Sequence, residues 1–555
     1  MRVYVIYNYA PNLNYIPIQK GSFLMKKLLL TIITVILAFT MAIGCGDQGS
    51  NPLSGVNGDV KSQNGSFVVE MDDYVYFING KSANTEDNTF GKPEKASLMR
   101  VKTQDLANPE NAVAEVVIPK LILSDSYKTG VYFYDHYVYY ATPSLKKDKK
   151  GNVKVDETEF YKFNLKTGKN EGSEIAVNAD DSVEYRFIEV NGKVYLIFVV
   201  AETHDEHTHK NFVVYDASSK KEVYTSPDYE EMLMPEDNST NVYFTKFSEG
   251  IKEDSTTAFH DLYHYSVGSE DATLVRSGTG TVDLEYNDRK NTVSDKRFEE
   301  SGFQGVTISL IKNTGNYLIT KISTLDSSNQ TSVYYGFDVK ADADLKTAVR
   351  LGTSETNSTD KAYTASSYYK SLDEVYYIES ETTGPKGLIL FERNKISDAD
   401  KTKGRTVICA DASDLAIQFV DGNYMYLAKT AEGIYYRLDL TASKPEPKQI
   451  NGVAMATSTS WFTPSVIGGR YFIGAYTKDF YKNYVYVIDM DGIDAEPAEG
   501  EDDNAFAKKY IVPFADAENI ERESIEALLK TRIGKITDSD KEAIEDLLED
   551  TYSED

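Results

Sequence analysis

Three of the six histidines fall within one ten-residue stretch, "AETHDEHTHK" (201–210): His204, His207 and His209, with Asp205 and Glu206 among them. Imidazoles beside carboxylates suit a transition metal such as Zn2+, Ni2+ or Cu2+. The spacing is not the H-E-x-x-H that sets two imidazoles on one helix face, and neither a glycine-rich approach nor a general base adjoins it. The cluster sits between the strand-like runs "VYLIFVV" (194–200) and "NFVVYD" (211–216), so it reads as the polar tip of a hairpin with weak Zn2+ binding at most. A second acidic stretch, "DMDGIDAEPAEGEDDN" (489–504), carries Asp489, Asp491 and Asp494, but Gly492 comes too early for an EF-hand loop. It reads as a solvated loop, low-affinity Ca2+ binding being the chemical alternative. No nucleophile elbow, phosphate loop or dinucleotide fingerprint occurs, and "SGTGTV" (277–282) is only superficially like one. No catalytic residue and no resident cofactor is expected, so the chain leans away from enzymes.

The two cysteines differ in setting. Cys409 lies in the strand-like "RTVICA" without any local nucleophile signature, and reads as a small buried hydrophobe. Cys45 ends an apolar run. Met25-Lys26-Lys27 is a charged start, and Leu28 to Ile43 is almost wholly apolar. Sixteen helical residues reach about 24 Å, short of the ~30 Å hydrocarbon core, as in a cleavable signal. Ala42-Ile43-Gly44-Cys45 resembles the lipobox of bacterial lipoproteins, with Ala where Leu is commonest. That resemblance implies a diacylglyceryl group on the Cys45 sulfur, cleavage after Gly44, acylation of the new amino group, and stable attachment to the outer side of the cell membrane. Residues 1–24, broken by Tyr, Asn and Pro, read as an extension upstream of a true start at Met25. Residues 46–65 are rich in Gly, Ser and Asn and read as a flexible tether.

Fifty-nine basic residues face 87 acidic ones, a net charge of −28. Losing residues 1–44 would remove four more positive charges and no acid. Such a surface excludes nucleic acid as a partner, and it makes a lipid on Cys45 the more plausible membrane contact.

The elements that would carry any site are strands. A run of aromatic and β-branched residues, often after Asp, Asn or Gly, is followed some 20–30 residues later by a second run that ends in a polar turn. The first run appears in "DDYVYFING" (72–80), "VNGKVYLIFVV" (190–200) and "VDGNYMYLAKT" (420–430). The second appears in "NFVVYDASSKK" (211–221), "GIYYRLDLTAS" (433–443) and "NYVYVIDMDG" (483–492). Eight such pairs recur at a mean spacing of about 57 residues, from Tyr76 to Phe472. Alternation along each run gives two apolar sheet faces, and Asp-Gly or Asn-Gly gives the tight turn. A pair of β-sandwiches or an irregular β-solenoid would fit the same rhythm.

The rhythm resembles the propeller domains of bacterial lipoproteins that are likened to low-density-lipoprotein-receptor and TolB-type propellers. The receptor signature Tyr-Trp-Thr-Asp is absent, its nearest echo being "VYFT" (242–245). The resemblance implies an all-β fold: a β-propeller of seven or eight four-stranded blades over 66–514. The full division is then a leader over 1–44, a tether over 45–65, the propeller, and a tail of two short amphipathic helices over 515–555. In function it implies an anchored extracytoplasmic binding or scaffolding module for a protein, peptide or glycan of the cell envelope. The reading from another class is a polysaccharide hydrolase or lyase whose carboxylates come from separate blades.

Overall fold

The computed structural model describes residues 52–513, apart from stretches within that span of which 79–97 and 491–510 are the longest. Cys45, the leader and the 515–555 tail lie outside the described residues. No described helix is long and apolar enough to cross a membrane.

Each pair of runs forms the second and third strands of a four-stranded antiparallel meander. In the first unit Val68–Met71, Tyr74–Ile78, Leu98–Lys102 and Glu115–Ile118 lie side by side in chain order. Seven further units follow, over 132–178, 185–225, 231–276, 303–353, 368–409, 416–449 and 457–513. They make seven blade sheets, because a short parallel bridge (Ala258 to Gly305, Phe259 to Val306) fuses the fourth and fifth units into one eight-stranded sheet. The chain is therefore an all-β propeller of seven blade sheets, the fourth of them double. A hairpin, Val282–Tyr286 with Arg289–Val293, is inserted inside the double blade.

Period-two alternation builds the ring. In Lys193–His204, Val194, Leu196 and Phe198 join a core with Tyr139 and Phe160 of the unit before, while Tyr195 and Ile197 join one with Val242 and Phe244 of the unit after. The same division recurs around the molecule. Tyr377 packs backward and Tyr376 forward, and Tyr426 stacks on Tyr471 with centroids 5.5 Å apart. A strand buried on both faces belongs to stacked blades, which rules out two-layer sandwiches. Closure needs no shared strand. Ile467 and Phe472 of the last unit enter the core of the first, beside Phe67 and Val68, and the Ser66 and Ser465 hydroxyls lie 2.8 Å apart. The run "YIVPF" supplies the outer strand of the last unit, Ile511–Pro513.

Edges are kept short. The outer strand of the seventh unit, Lys448–Gln449, is two residues long and carries a lysine, which discourages pairing with another chain, and that of the second unit is split into Lys169–Asn170 and Ile175–Asn178.

One expectation changes. Residues 52–65 do not hang free. Asp72, in a left-handed turn (φ 56°), accepts the amides of Asn57, Gly58 and Asp59 at 2.7–3.1 Å. Val60 bridges to Met71 on the free edge of the first inner strand, and Asn64 brackets Phe133 through both its amide and its carbonyl. Arg100, 1% exposed, donates to Ser54 O at 2.9 Å and to Glu115 at 2.6 Å. The glycines that suggest flexibility serve close contact instead: a Cβ on Gly58 would lie 2.6 Å from the Asp135 backbone.

Candidate functional site

Antiparallel strands alternate direction, so the connections of each unit sort to opposite faces of the ring. One face collects the turns between first and second strands and between third and fourth strands. Most of the former are tight. Asp72, Asp135, Asn191-Gly192, Gly315, Gly422 and Gly468-Gly469 all have positive φ, the conformation that two- and three-residue hairpins require. Four of the latter, in the second, third, fifth and seventh units, share a capping device. Asn164 accepts the amides of Lys166 and Thr167, Asp216 those of Ser218 and Ser219, Asp338 those of Lys340 and Ala341, and Asp439 that of Thr441. At Asp216 burial works against the charge, but the amide bonds of Ser219 and Ser218 outweigh it and hold the carboxyl below its usual range. Among the described residues this is a face of turns.

The other face is where the second strands end and the third begin, at Ile78 and Leu98, Lys147 and Val153, His204 and His207, Phe247 and Ala258, Asp326 and Gln330, Glu379 and Gly387, Lys429 and Ile434, and Thr477 and Asn483. Two of these hairpins run on as long ribbons, Tyr137–Lys147 with Val153–Asn164 and Lys193–His204 with His207–Asp216.

Some of its described polar groups are matched, while Thr245 Oγ1 and His260 Nδ1, on either side of the fourth unit's link, are buried without a hydrogen-bond partner. Glu379, 5% exposed, ends the strand Glu374–Glu379 and takes Lys361 at 2.8 Å and Arg405 at 3.2 Å. These contacts fasten the short helix Asn357–Ala362 to the sheet. Asp261 accepts the Ser248 hydroxyl at 2.6 Å. Three residues so far apart in the chain carry no joint signal; only the acid closing the apolar "EVYYIE" hints at them.

The residues singled out in the sequence are distributed as follows. His204 and His207 are directly paired across the hairpin, and His209 pairs with Glu202. Asp489 ends the strand Asn483–Asp489, and 491–494 lie outside the described residues. Cys409 is buried in the core between the sixth and seventh units, and burial raises its thiol pKa. Among the described side chains no three His, Cys, Asp or Glu groups converge.

No family model and no curated protein matches the chain. Solved structures align with it at low identity. A prolyl endopeptidase shares 14% identity over 65% of this chain and 48% of its own, with a TM-score of 0.36. Oligopeptidase B from Trypanosoma brucei shares 11% over 66% and 47%, with a TM-score of 0.35. The β-propeller domain of the trilobed protease from Pyrococcus furiosus shares 12% over 72% and 97%, with a TM-score of 0.29. The chain spans about half the length of the first two.

Proposed function

We propose that the protein is a lipid-anchored, extracytoplasmic binding module of the cell envelope, and that its face of long hairpins receives a protein, peptide or glycan. The anchor is the lipobox cysteine, Cys45, and the body is of the kind it resembles, the propeller domains of bacterial lipoproteins.

One observation carries the reading: the path of residues 53–66. The segment meets the body at the face of turns, with Leu53 on Leu165 and Gly58 against the Asp72 and Asp135 turns, before it runs along the free edges of the first two inner strands. From Cys45 to Leu53 eight residues span at most about 28 Å even when fully extended. A lipid at Cys45 therefore holds the turn face toward the membrane and leaves the hairpin face outward. Partner recognition and anchoring then occupy opposite sides of the ring, which is the arrangement a scaffolding role requires.

The test has two arms. In a bacterial host fed an alkynyl fatty acid, the chain should carry label and sediment with membranes, while Cys45→Ala should lose the label and become soluble. Residues 46–555 displayed to peptide and glycan arrays should bind a ligand class that is lost when 79–97 and 148–152 are replaced by two-residue turns. Unlabelled wild-type chain overturns the anchoring. Binding that survives hairpin replacement, or glycan cleavage in place of retention, overturns the assignment to this face.

A further inference from the structure

Each inner strand of a propeller turns one edge toward the middle of the ring. In the first two units the chain itself takes that edge. Residues 59–66 run antiparallel to both inner strands, pairing first with one and then with the other. Asp72 N donates to Asp59 O and Lys61 N to Glu70 O, both at 2.8 Å. Gly65 N donates to Val131 O at 3.1 Å, and Val131 N to Ser66 O at 3.2 Å. Side chains complete the pattern: Ser62 Oγ accepts Glu70 N at 2.7 Å, and Asn64 Oδ1 accepts Phe133 N at 2.8 Å.

What holds the segment is polar. None of residues 57–66 is buried, although Val56 just before them is, and Val60 is only partly covered where it packs on the core of the first unit. A stretch with so few buried apolar contacts opens at lower cost than the blades it lies on. Its bonds come from main-chain groups and small polar side chains, which any extended chain can supply. A second strand of similar sequence can therefore make the same bonds in its place, with the segment itself as the template.

We propose that residues 57–66 are an exchangeable strand. An extended peptide segment of a partner protein, with small polar side chains at the places of Ser62 and Asn64, takes their seat by strand addition and sets them free. Exchange changes the reach of the molecule. With the segment seated, the eight residues from Cys45 to Leu53 span at most about 28 Å. Once it is released, the twenty-two residues from Cys45 to Phe67 span at most about 77 Å. Binding the peptide and lifting the ring off its anchor then become one event. The gain in reach rests on the anchoring reading above; the exchange itself does not.

The experiment uses residues 46–555 without lipid and a fluorescent peptide of the sequence 56–66, VNGDVKSQNGS, with a scrambled peptide beside it. Val60 and Met71 oppose each other while the hydrogen bonds run through Lys61 with Glu70 and Asp72 with Asp59. Opposed Cα atoms come closest in such a pair, so Val60→Cys with Met71→Cys gives a disulfide that pins the segment. That variant should bind the peptide when reduced and lose it when oxidised. Ser62→Ala with Asn64→Ala weakens the segment and leaves its seat intact, so this variant should bind the peptide on the order of tenfold more tightly than the wild type. Hydrogen exchange at residues 60–66 of the chain should rise as peptide is added. Equal binding by oxidised and reduced forms, equal binding of the scrambled peptide, or no binding by the Ser62→Ala, Asn64→Ala variant overturns the proposal. Absence of lipid on Cys45 leaves all these readings unchanged, so anchoring and exchange fail separately.

Discussion

At the residue scale, polar side chains in this propeller act mostly on its own backbone. Asp72 gathers three amides, Asn164 two, and Arg100 reaches through the core to a carbonyl of the docked segment. Buried tyrosines are the other side of this economy of charge. Burial lifts the Tyr76 hydroxyl to about 12, with the neighbouring Arg100 cation opposing, and Tyr224, Tyr335 and Tyr426 also stand at about 12 through burial first. A folded-state pKa above the unfolded value of 10 gives stability that is complete below pH 10 and is lost as pH rises toward 12. Alkaline titration should therefore show early tyrosinate formation at exposed rings and a late, cooperative phase that coincides with loss of the sheet signal in circular dichroism. A single phase near pH 10 with the fold intact would contradict the burial described here.

At the element scale, glycine has two different uses. Gly192 turns the hairpin between the inner and second strands of the third unit, with φ 78° and open space where a Cβ would go. Gly58 has φ 102° and a neighbouring backbone 2.6 Å from that position. Gly192→Ala should cost about 1 kcal/mol of left-handed strain. Gly58→Ala should cost roughly 3 kcal/mol, because the segment must also move off the Asp135 turn. Denaturant melts give the two costs, and hydrogen exchange at residues 57–61 should rise only in the second variant. Equal costs, or no change in exchange, would mean that the segment is not held by this contact.

At the scale of the whole molecule, the ring has a seam where its ends meet, and the seam is held by packing. Phe472 is fully buried among first-unit residues, and the Ser66 and Ser465 hydroxyls lie 2.8 Å apart across the join. Phe472→Ala should cost about 3–5 kcal/mol. Its exchange protection should fall in the first and last units before the fourth and fifth, which the parallel bridge unites. Uniform loss of protection around the ring would show that closure does not depend on this side chain.

The sequence determined by itself the strands, their pairing in eight repeats and the two-sided burial, because period-two alternation and turn chemistry are local properties of the chain. The eight aromatic runs fell on second strands and their partners on third strands for that reason. What local chemistry could not decide was whether "GDQGSNPLSGVNGDVKSQNG" hangs free or docks, since the amide-gathering carboxylate, Asp72, and the crowding turn at Asp135 come from later in the chain. The same holds for Glu379 with Lys361 and Arg405. Each depends on which residues the folded sheets bring opposite one another, and only register and closure of the ring fix that.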